Sequence, residues 1–574
     1  MPETGMKNGA DEEHGRRLRV FIRLLLGFIL LAGVYARVTG LQWHFSHPDD
    51  IGVAKTILQS KARGEFNPFA VPAYWTYAPF QFLFTHFLIQ PDQSYRELLF
   101  WGRLPSLVSA IAALFILAAA FRCLDRFRTA RVLTAAVLLA CSWESIINAK
   151  QMHSYGIGLT GSCLFMLFLA VHARKGNFSL RQMGLMGLSL AVVSHMHYQI
   201  LFFMPAFFLA LFYQGLALKL SLKKTLSRLL MPGFVYLAAV APMIYFFLRG
   251  RLNSGVYWWS SGPSDEFLYH FTSSMTLADK VLYTLDFFTE NLFLVFQANT
   301  AFLPENHALA EPAGWVFFIL FCLGIAGYFR SKDPADKSLG VFTTAAFAVW
   351  FALVAVQKLT LGPTRHSLIL LPLMCAAAAQ GLSFAVSALP QKNRNGLALE
   401  YRFHAGLSMA VLLLFLLHFG IFQKERRDVF IENDILSTLE SYDVDEVVLP
   451  RDTAQVHVMK SVQAYIERRS VESKDPNRTV AWISRIDKIN PVKLAEIQLL
   501  YNRLTLQRQT ALAAAKGANP DLSGFPFEYR MVYSREIESG VEIDYSSRTK
   551  NGSNSLYFYI LQRDELPSMQ PSTH

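Results

Sequence analysis

Long apolar runs alternate along this chain with short, polar, mostly basic connections. A membrane-crossing helix needs about 20 predominantly apolar residues, with ~17 as the lower limit. Runs of that kind cover residues 20–38, 104–121, 132–149, 155–173, 229–248, 339–356, 367–389 and 405–422. A shorter run, 314–329, carries no charge. The stretch 183–218 is too long for one helix and is interrupted by His195, His197 and Tyr198. It reads as two helices joined by a tight hairpin, which brings the expected number of crossings to eleven.

Residues 77–90 form the ambiguous stretch, apolar and aromatic but short. If it crossed, every later loop would change side. The excess of Lys and Arg on the cytoplasmic side decides the matter. With 77–90 not crossing, the short cytoplasmic loops hold Arg122, Arg126, Arg128, Arg131, Arg174, Lys175, Arg181, Lys219, Lys223, Lys224, Arg228, Arg330, Lys332, Lys337, Lys392, Arg394 and Arg402. The short outer loops hold only Lys150, Lys358 and Arg365. The stretch therefore reads as a helix lying in the outer interface.

Residues 1–19 then form a cytoplasmic tail and 20–423 a transmembrane domain. An acidic run precedes Arg16 and Arg17, which is not the start of a cleaved signal peptide. Two outer loops are large, 41–103 and 249–313, and the second contains another expected interfacial helix over 279–296. From Lys424 to His574 the composition changes. Alternating segments at 446–450, 479–484, 527–536, 541–545 and 555–562 read as strands, and 431–442 and 491–516 as helices. The expectation is a small α/β domain, 424–574, on the periplasmic side.

Composition agrees. Hydrophobic residues are 52% and charged residues 17%, against about 25% charged in ordinary soluble domains. Disordered, collagen-like and disulfide-framework classes are excluded by 33 Gly, 24 Pro and 5 Cys in 574 residues. The net charge of +11 does not point to nucleic acid, because the cations lie between apolar runs. Cys123, Cys141, Cys163, Cys322 and Cys375 are scattered through apolar stretches and read as small hydrophobes.

Candidate chemistry begins in the first outer loop. His47-Pro48-Asp49-Asp50 follows the first crossing, then Gly64-Glu65-Phe66-Asn67-Pro68, then Tyr74-Trp75-Thr76-Tyr77-Ala78-Pro79, and Arg103-Leu104-Pro105-Ser106 opens the second crossing. One of two adjacent carboxylates can serve as a base while its neighbour orients it or holds a metal. On the pair alone, a helix cap before Ile51 is the simpler reading.

Taken together, these segments resemble the membrane-embedded glycosyltransferases of the GT-C superfamily. The likeness is to the bacterial group of lipid A aminoarabinose transferases and protein O-mannosyltransferase-like enzymes. Residues 148–155, Asn148 to Tyr155, look like that group's second outer loop. Pro363-Thr364-Arg365-His366-Ser367 with Leu370-Leu371-Pro372 looks like its late arginine-containing segment. The resemblance implies an α-helical polytopic GT-C fold of about eleven helices and a polyprenyl-phosphate sugar donor. It implies a glycan, lipid or protein acceptor, Asp49 as the catalytic acid of the pair and Asp50 as its companion. A divalent metal stays open, because the acid some members carry in the second outer loop is missing between Lys150 and Tyr155.

Other residues carry two readings. Glu144, in an apolar run, is a functional acid or one reaching for the interface. His195 and His197 would donate to a phosphate or bind a metal, or merely line a polar hairpin tip. Lys150 and Arg365 stand where the topology rule disfavours cations, so they fit a phosphate better than an anchor. Tyr77, Tyr155 and Trp258 are candidates to lie against substrate, with an interfacial aromatic anchor as the alternative for Trp258. The expected protein is thus a bacterial inner-membrane glycosyltransferase with a periplasmic active site. The alternatives are an O-antigen ligase or polymerase, and a lipid or solute transporter, although the paired broken helices of many transporters are missing.

Overall fold

The computed structural model describes residues 6–39, 41, 57, 58, 60, 61, 64, 79–90, 93, 95–124, 130–152, 155–174, 178–248, 275–299, 309–356, 359–362, 365–389 and 396–425, and, in the tail, 435, 438, 439, 441, 442, 444, 446–448, 479–484, 499, 506, 510, 513, 529–539 and 554–563. Met1–Gln42 with Ile57–Lys424 forms one compact unit, and the tail from Glu425 belongs to another.

In the membrane unit the described helices are α1 Met6–Val38, α2 Pro79–Leu88, α3 Tyr95–Leu124, α4 Ala130–Cys141, α5 Trp143–Ala149 and α6 Tyr155–Arg174. They continue as α7 Leu180–Met196, α8 Ile200–Ala217, α9 Leu222–Pro242 with a π turn Met243–Leu248, α10 Leu277–Asn299, α11 Ala310–Arg330 and α12 Pro334–Ala355. A 3-10 turn, Arg365–Leu370, leads into α13 Leu371–Ser387, and α14 is Gly396–Glu425. Nine helices among the described residues are long and apolar enough to cross a membrane, and α4 with α5 makes a tenth. The 17-residue α7 falls just short of those helices in length, so the described residues give nine or ten crossings against the eleven expected. The protein is a polytopic helical membrane protein. Large side chains such as Leu31, Leu230 and Phe234 stand exposed on the bundle's outside, which only a lipid surrounding makes favourable.

Local sequence explains the helix starts. Ser179 opens α7 in a capping box with Gln182, Ser221 accepts from the Lys224 N–H at the start of α9, and Asp333 accepts from Ala335 ahead of α12, whose first residue is Pro334. The expected hairpin is present: His197 closes α7, and Ile200 begins α8. With ten residues, α2 rises about 15 Å, half of a ~30 Å hydrocarbon layer, too short by itself to cross it. Tight helix pairs rest on glycine: a Cβ at Gly324 of α11 would strike the Ala377 carbonyl of α13.

Two expectations are corrected. The run 132–149 is not one straight helix. Its two pieces meet at Ser142 with a bend of 57°, because Ser142 is extended and its side chain accepts from the Ser145 N–H to start α5. The segment Arg103-Leu104-Pro105-Ser106 does not open its helix, which begins at Tyr95. At about 1.5 Å per residue, Arg103 lies ~32 Å from the far end of α3 at Leu124. That is the depth at which a hydrocarbon layer ends.

Among the described residues the tail holds a four-stranded sheet, β1 Glu446–Val448, β2 Thr479–Ser484, β3 Tyr529–Ser539 and β4 Asn554–Arg563, in the order β1-β2-β4-β3. The pair β1/β2 is parallel, and β2/β4 and β3/β4 are antiparallel. The strand expected at 541–545 lies outside the described residues.

Candidate active site at the hairpin end

Side-chain contacts separate the bundle's two ends. One carries the basic loops, and there Arg131 of α4 meets Asp336 of α12 at 3.1 Å. The other, the hairpin end, holds the close of α1, the whole of α2 and α5, the start of α6, the tip His197–Gln199 and the 3-10 turn.

The bend at Ser142 shapes the hairpin end. It leaves the last carbonyls of α4 without helical partners. Arg37 of α1 fills the gap: Nη1 donates to the Gly33 and Ala140 carbonyls at 2.9 and 3.0 Å, and Nη2 to the Leu139 carbonyl at 2.9 Å and Ser145 Oγ at 2.6 Å. This guanidinium is fully buried and fastens α5 at its angle. Arg103 Nη1 donates to the Leu41 carbonyl at 2.7 Å. Arg37 escaped the sequence reading, although an arginine inside an apolar helix is a signal in itself; Arg103 was marked there only as part of its four-residue segment.

Glu144 lies in the first turn of α5, half-buried, where the helix dipole favours an acid. Asn148 Nδ2 donates to its carbonyl at 2.8 Å and its Oε2 at 3.2 Å. Lys150 closes α5 and is buried, with Nζ donating to the Thr39 carbonyl at 2.8 Å. The segment after α5 thus lies against the end of α1, eight residues before His47. Gln81 of α2 donates through Nε2 to the Met152 carbonyl.

Tyr155 opens α6 and is buried between two histidines, its ring centroid 5.5 Å from His197 and 5.6 Å from His366, both edge-on. The His197 ring lies on the bare backbone of Gly158, where a Cβ would come within 2.8 Å of it, and its Nε2 is 3.0 Å from Gln199 Oε1. His366 Nδ1 is 3.3 Å from Thr360 Oγ1. His366 stood inside the late segment but had been given no role there; its partner, five residues from Arg365, was the missing signal. His195 goes elsewhere. Its ring stacks on Phe80 at 4.7 Å, and Nε2 donates to the Ala239 carbonyl of α9 at 2.9 Å.

The structure therefore places Lys150, Tyr155, His197 and His366 at one end, holds Glu144 against Asn148 on α5, and sends His195 to a different neighbour. Arg365 begins the 3-10 turn, and its side chain lies outside the described residues. So do Asp49, Asp50, Tyr77 and Trp258. Among the described residues no three His, Cys, Asp or Glu side chains come together as a metal site.

No family model and no curated protein matches the chain. Two crystal structures are similar to it. ArnT from Cupriavidus metallidurans in the apo state has a TM-score of 0.45 at 11% identity, covering 82% of this chain and 93% of that one. The same protein bound to undecaprenyl phosphate has a TM-score of 0.47 at 11% identity, covering 94% of this chain and 98% of that one. Likeness at this level fixes neither a fold family nor an activity.

Proposed function

We propose that the protein is a GT-C-type glycosyltransferase of a bacterial inner membrane, with the hairpin end on the periplasmic side. It moves a monosaccharide from a polyprenyl phosphate to a glycan, lipid or protein acceptor. The observation that carries the reading is that Lys150, Tyr155, His197 and His366, from three separate stretches of chain, lie at the hairpin end, with Tyr155 between the two histidines.

In this reading Asp49 removes the proton of an acceptor hydroxyl, with Asp50 orienting it. The hydroxyl oxygen attacks the anomeric carbon, the bond from that carbon to the phosphate oxygen breaks, and its electron pair leaves with polyprenyl phosphate. A single displacement inverts the anomeric centre. Negative charge grows on the leaving phosphate, and Arg365 and Lys150, beside the hairpin histidine His197, supply fixed donors for it.

The test is discharge of a polyprenyl-phosphate sugar by the purified protein and by Asp49→Asn. Asn caps a helix about as well as Asp but cannot take the proton, so turnover should fall about 10²–10⁴-fold while the donor still binds. A parent protein that discharges no such donor sinks the reading. An Asp49→Asn protein working at the parental rate removes the base from it.

A further inference from the structure

The hairpin end contains four buried acceptor atoms that lack a donor among the described residues: Gln81 Oε1, Asn148 Oδ1, Gln151 Oε1 and His195 Nδ1. Each parent side chain is more than nine-tenths buried. They belong to one neighbourhood. Gln81 is bonded to Met152, next to Gln151. The Gln151 N–H donates to the Asn148 carbonyl at 3.4 Å. His195 stacks on Phe80, the residue before Gln81.

For Asn148, Gln81 and His195 the bonds that do form fix the chemistry of the atoms left over. Asn148 Nδ2 faces an acid oxygen and a carbonyl, both acceptors, so turning the amide round would set oxygen against oxygen. Gln81 Nε2 faces a carbonyl in the same way. The Ala239 carbonyl can only accept, so the proton of the neutral His195 ring is on Nε2 and is already used. Its other nitrogen offers a lone pair. A buried acceptor with no donor is costly and uncommon in folded proteins, and these atoms are closed to bulk water. Their partners must therefore be enclosed with them. A phosphate would be repelled, since its oxygens also accept. A hydroxyl fits, because it brings the missing proton and is the group that sugars carry in number.

We propose that Gln81, Asn148, Gln151 and His195 form a hydroxyl-binding subsite that holds the transferred sugar, separate from the cations that hold the donor's phosphate. The proposal rests on the glycosyltransferase reading and takes His195 out of the phosphate site. The four residues are specificity determinants: they decide which hydroxyl pattern is accepted.

The experiment uses the full chain with polyprenyl-phosphate sugars, their single-deoxy analogues, and polyprenyl phosphate without a sugar. Gln81→Met, Gln151→Met and His195→Phe keep size and, for His195, the stacked ring. Each should lower kcat/KM for the parent sugar about two- to tenfold and lose discrimination against one deoxy analogue. Affinity for bare polyprenyl phosphate should not change. Weaker binding of bare polyprenyl phosphate by His195→Phe would return His195 to the phosphate and overturn the assignment. Unchanged sugar kinetics in all three variants would overturn it too, leaving these acceptors to enclosed waters only. If Gln81→Met does not fold, Gln151→Met and His195→Phe decide the assignment by the same two readouts. A parent protein that turns over none of the donors would instead sink the glycosyltransferase reading itself.

Discussion

The two ends of the helical bundle hold their buried arginines differently. At the basic end Arg131 sits in a group of side chains closed on itself. Arg131 Nη1 reaches Asp336 Oδ1 at 3.1 Å and also Gln380 Oε1, and Ser331 Oγ donates to Asp336 Oδ2 at 2.9 Å. Ser383 gives its one proton to Glu400 Oε1 at 2.6 Å. His404 Nε2, at 2.9 Å, must therefore donate to Ser383, and its Nδ1 then accepts from Thr134 Oγ1 at 2.8 Å. This chain ties α4, α12, α13 and α14 together with acid and base matched. At the hairpin end Arg37 donates to backbone carbonyls and to Ser145 Oγ, and Arg103 and Lys150 each donate to a carbonyl, while Gln81, Asn148, Gln151 and His195 keep acceptors without a donor among the described residues. A matched network holds helices in register. Enclosed acceptors without donors keep binding capacity for something else.

The comparison breaks first at its strongest pair. Asp336→Ala leaves a buried guanidinium without its carboxylate, which costs about 3–5 kcal/mol. The variant should accumulate poorly and melt early, while turnover per folded molecule stays parental. Arg131→Met combined with Asp336→Leu removes both charges and should recover most of the stability. Normal stability in Asp336→Ala, or a specific loss of turnover, would mean that the basic end is not merely structural.

Arg37→Lys probes the hairpin end on the same terms. Lysine keeps the charge but lacks the planar fork, so two or three of the four hydrogen bonds are lost, a cost of about 2–3 kcal/mol. Unlike Asp336→Ala, this change should also reach the chemistry. It frees α5 from its angle and displaces Lys150 and Tyr155, and a shift of about 1 Å can lower turnover ~10²-fold. Both stability and turnover are to be measured. Loss of stability alone would make Arg37 equivalent to Arg131.

Much of the fold is legible in residue order, and the failures have physical causes. The crossings, the hairpin at His195–Tyr198 and the non-crossing helix at Pro79 follow from run length and from where the cations fall. The bend at Ser142 does not, because an apolar run looks the same straight or broken, and the one sign of the break is a serine that can cap. The start of α3 is obscured by Arg96, Glu97 and Arg103, whose charges look like a loop until length shows that they stand outside the hydrocarbon layer. Of the site, Lys150 and the hairpin histidines stand out as polar residues at the wrong depth or side. That His195 and His197 engage different neighbours, and that Tyr155 meets His366, depends on packing between helices far apart in sequence.

Arg365 gives the next largest effect. In the proposed mechanism it faces the leaving phosphate, and a charge-assisted contact of that kind contributes roughly 1.5–3 kcal/mol. Arg365→Ala should therefore weaken donor use about tenfold to a hundredfold, whatever the acceptor, with little change in melting temperature. Lysine should restore part of it. Parental donor kinetics would make Arg365 an interfacial anchor, and the hairpin end would lose one of its two proposed phosphate cations.

The smallest expected effect is the share of a pH slope that His86 contributes. His86, on α2, titrates below the usual histidine value of 6.5, first because burial disfavours its charged form and second because the Lys61 ammonium is near. The unfolded chain therefore takes up this proton before the folded one does, and between the two values the unfolded state holds more protons. Stability then rises with pH across that window. Its contribution is complete above about pH 6.5, falls as the pH drops towards the folded value, and is flat beneath it. The ring is half-exposed, so solvent screens the effect and the slope should be shallow. Melting temperatures between about pH 5 and 8 should show a steeper slope in the parent than in Lys61→Met, and the shallowest of the three in His86→Gln. A slope identical in the parent and in His86→Gln would mean that His86 contributes nothing to it.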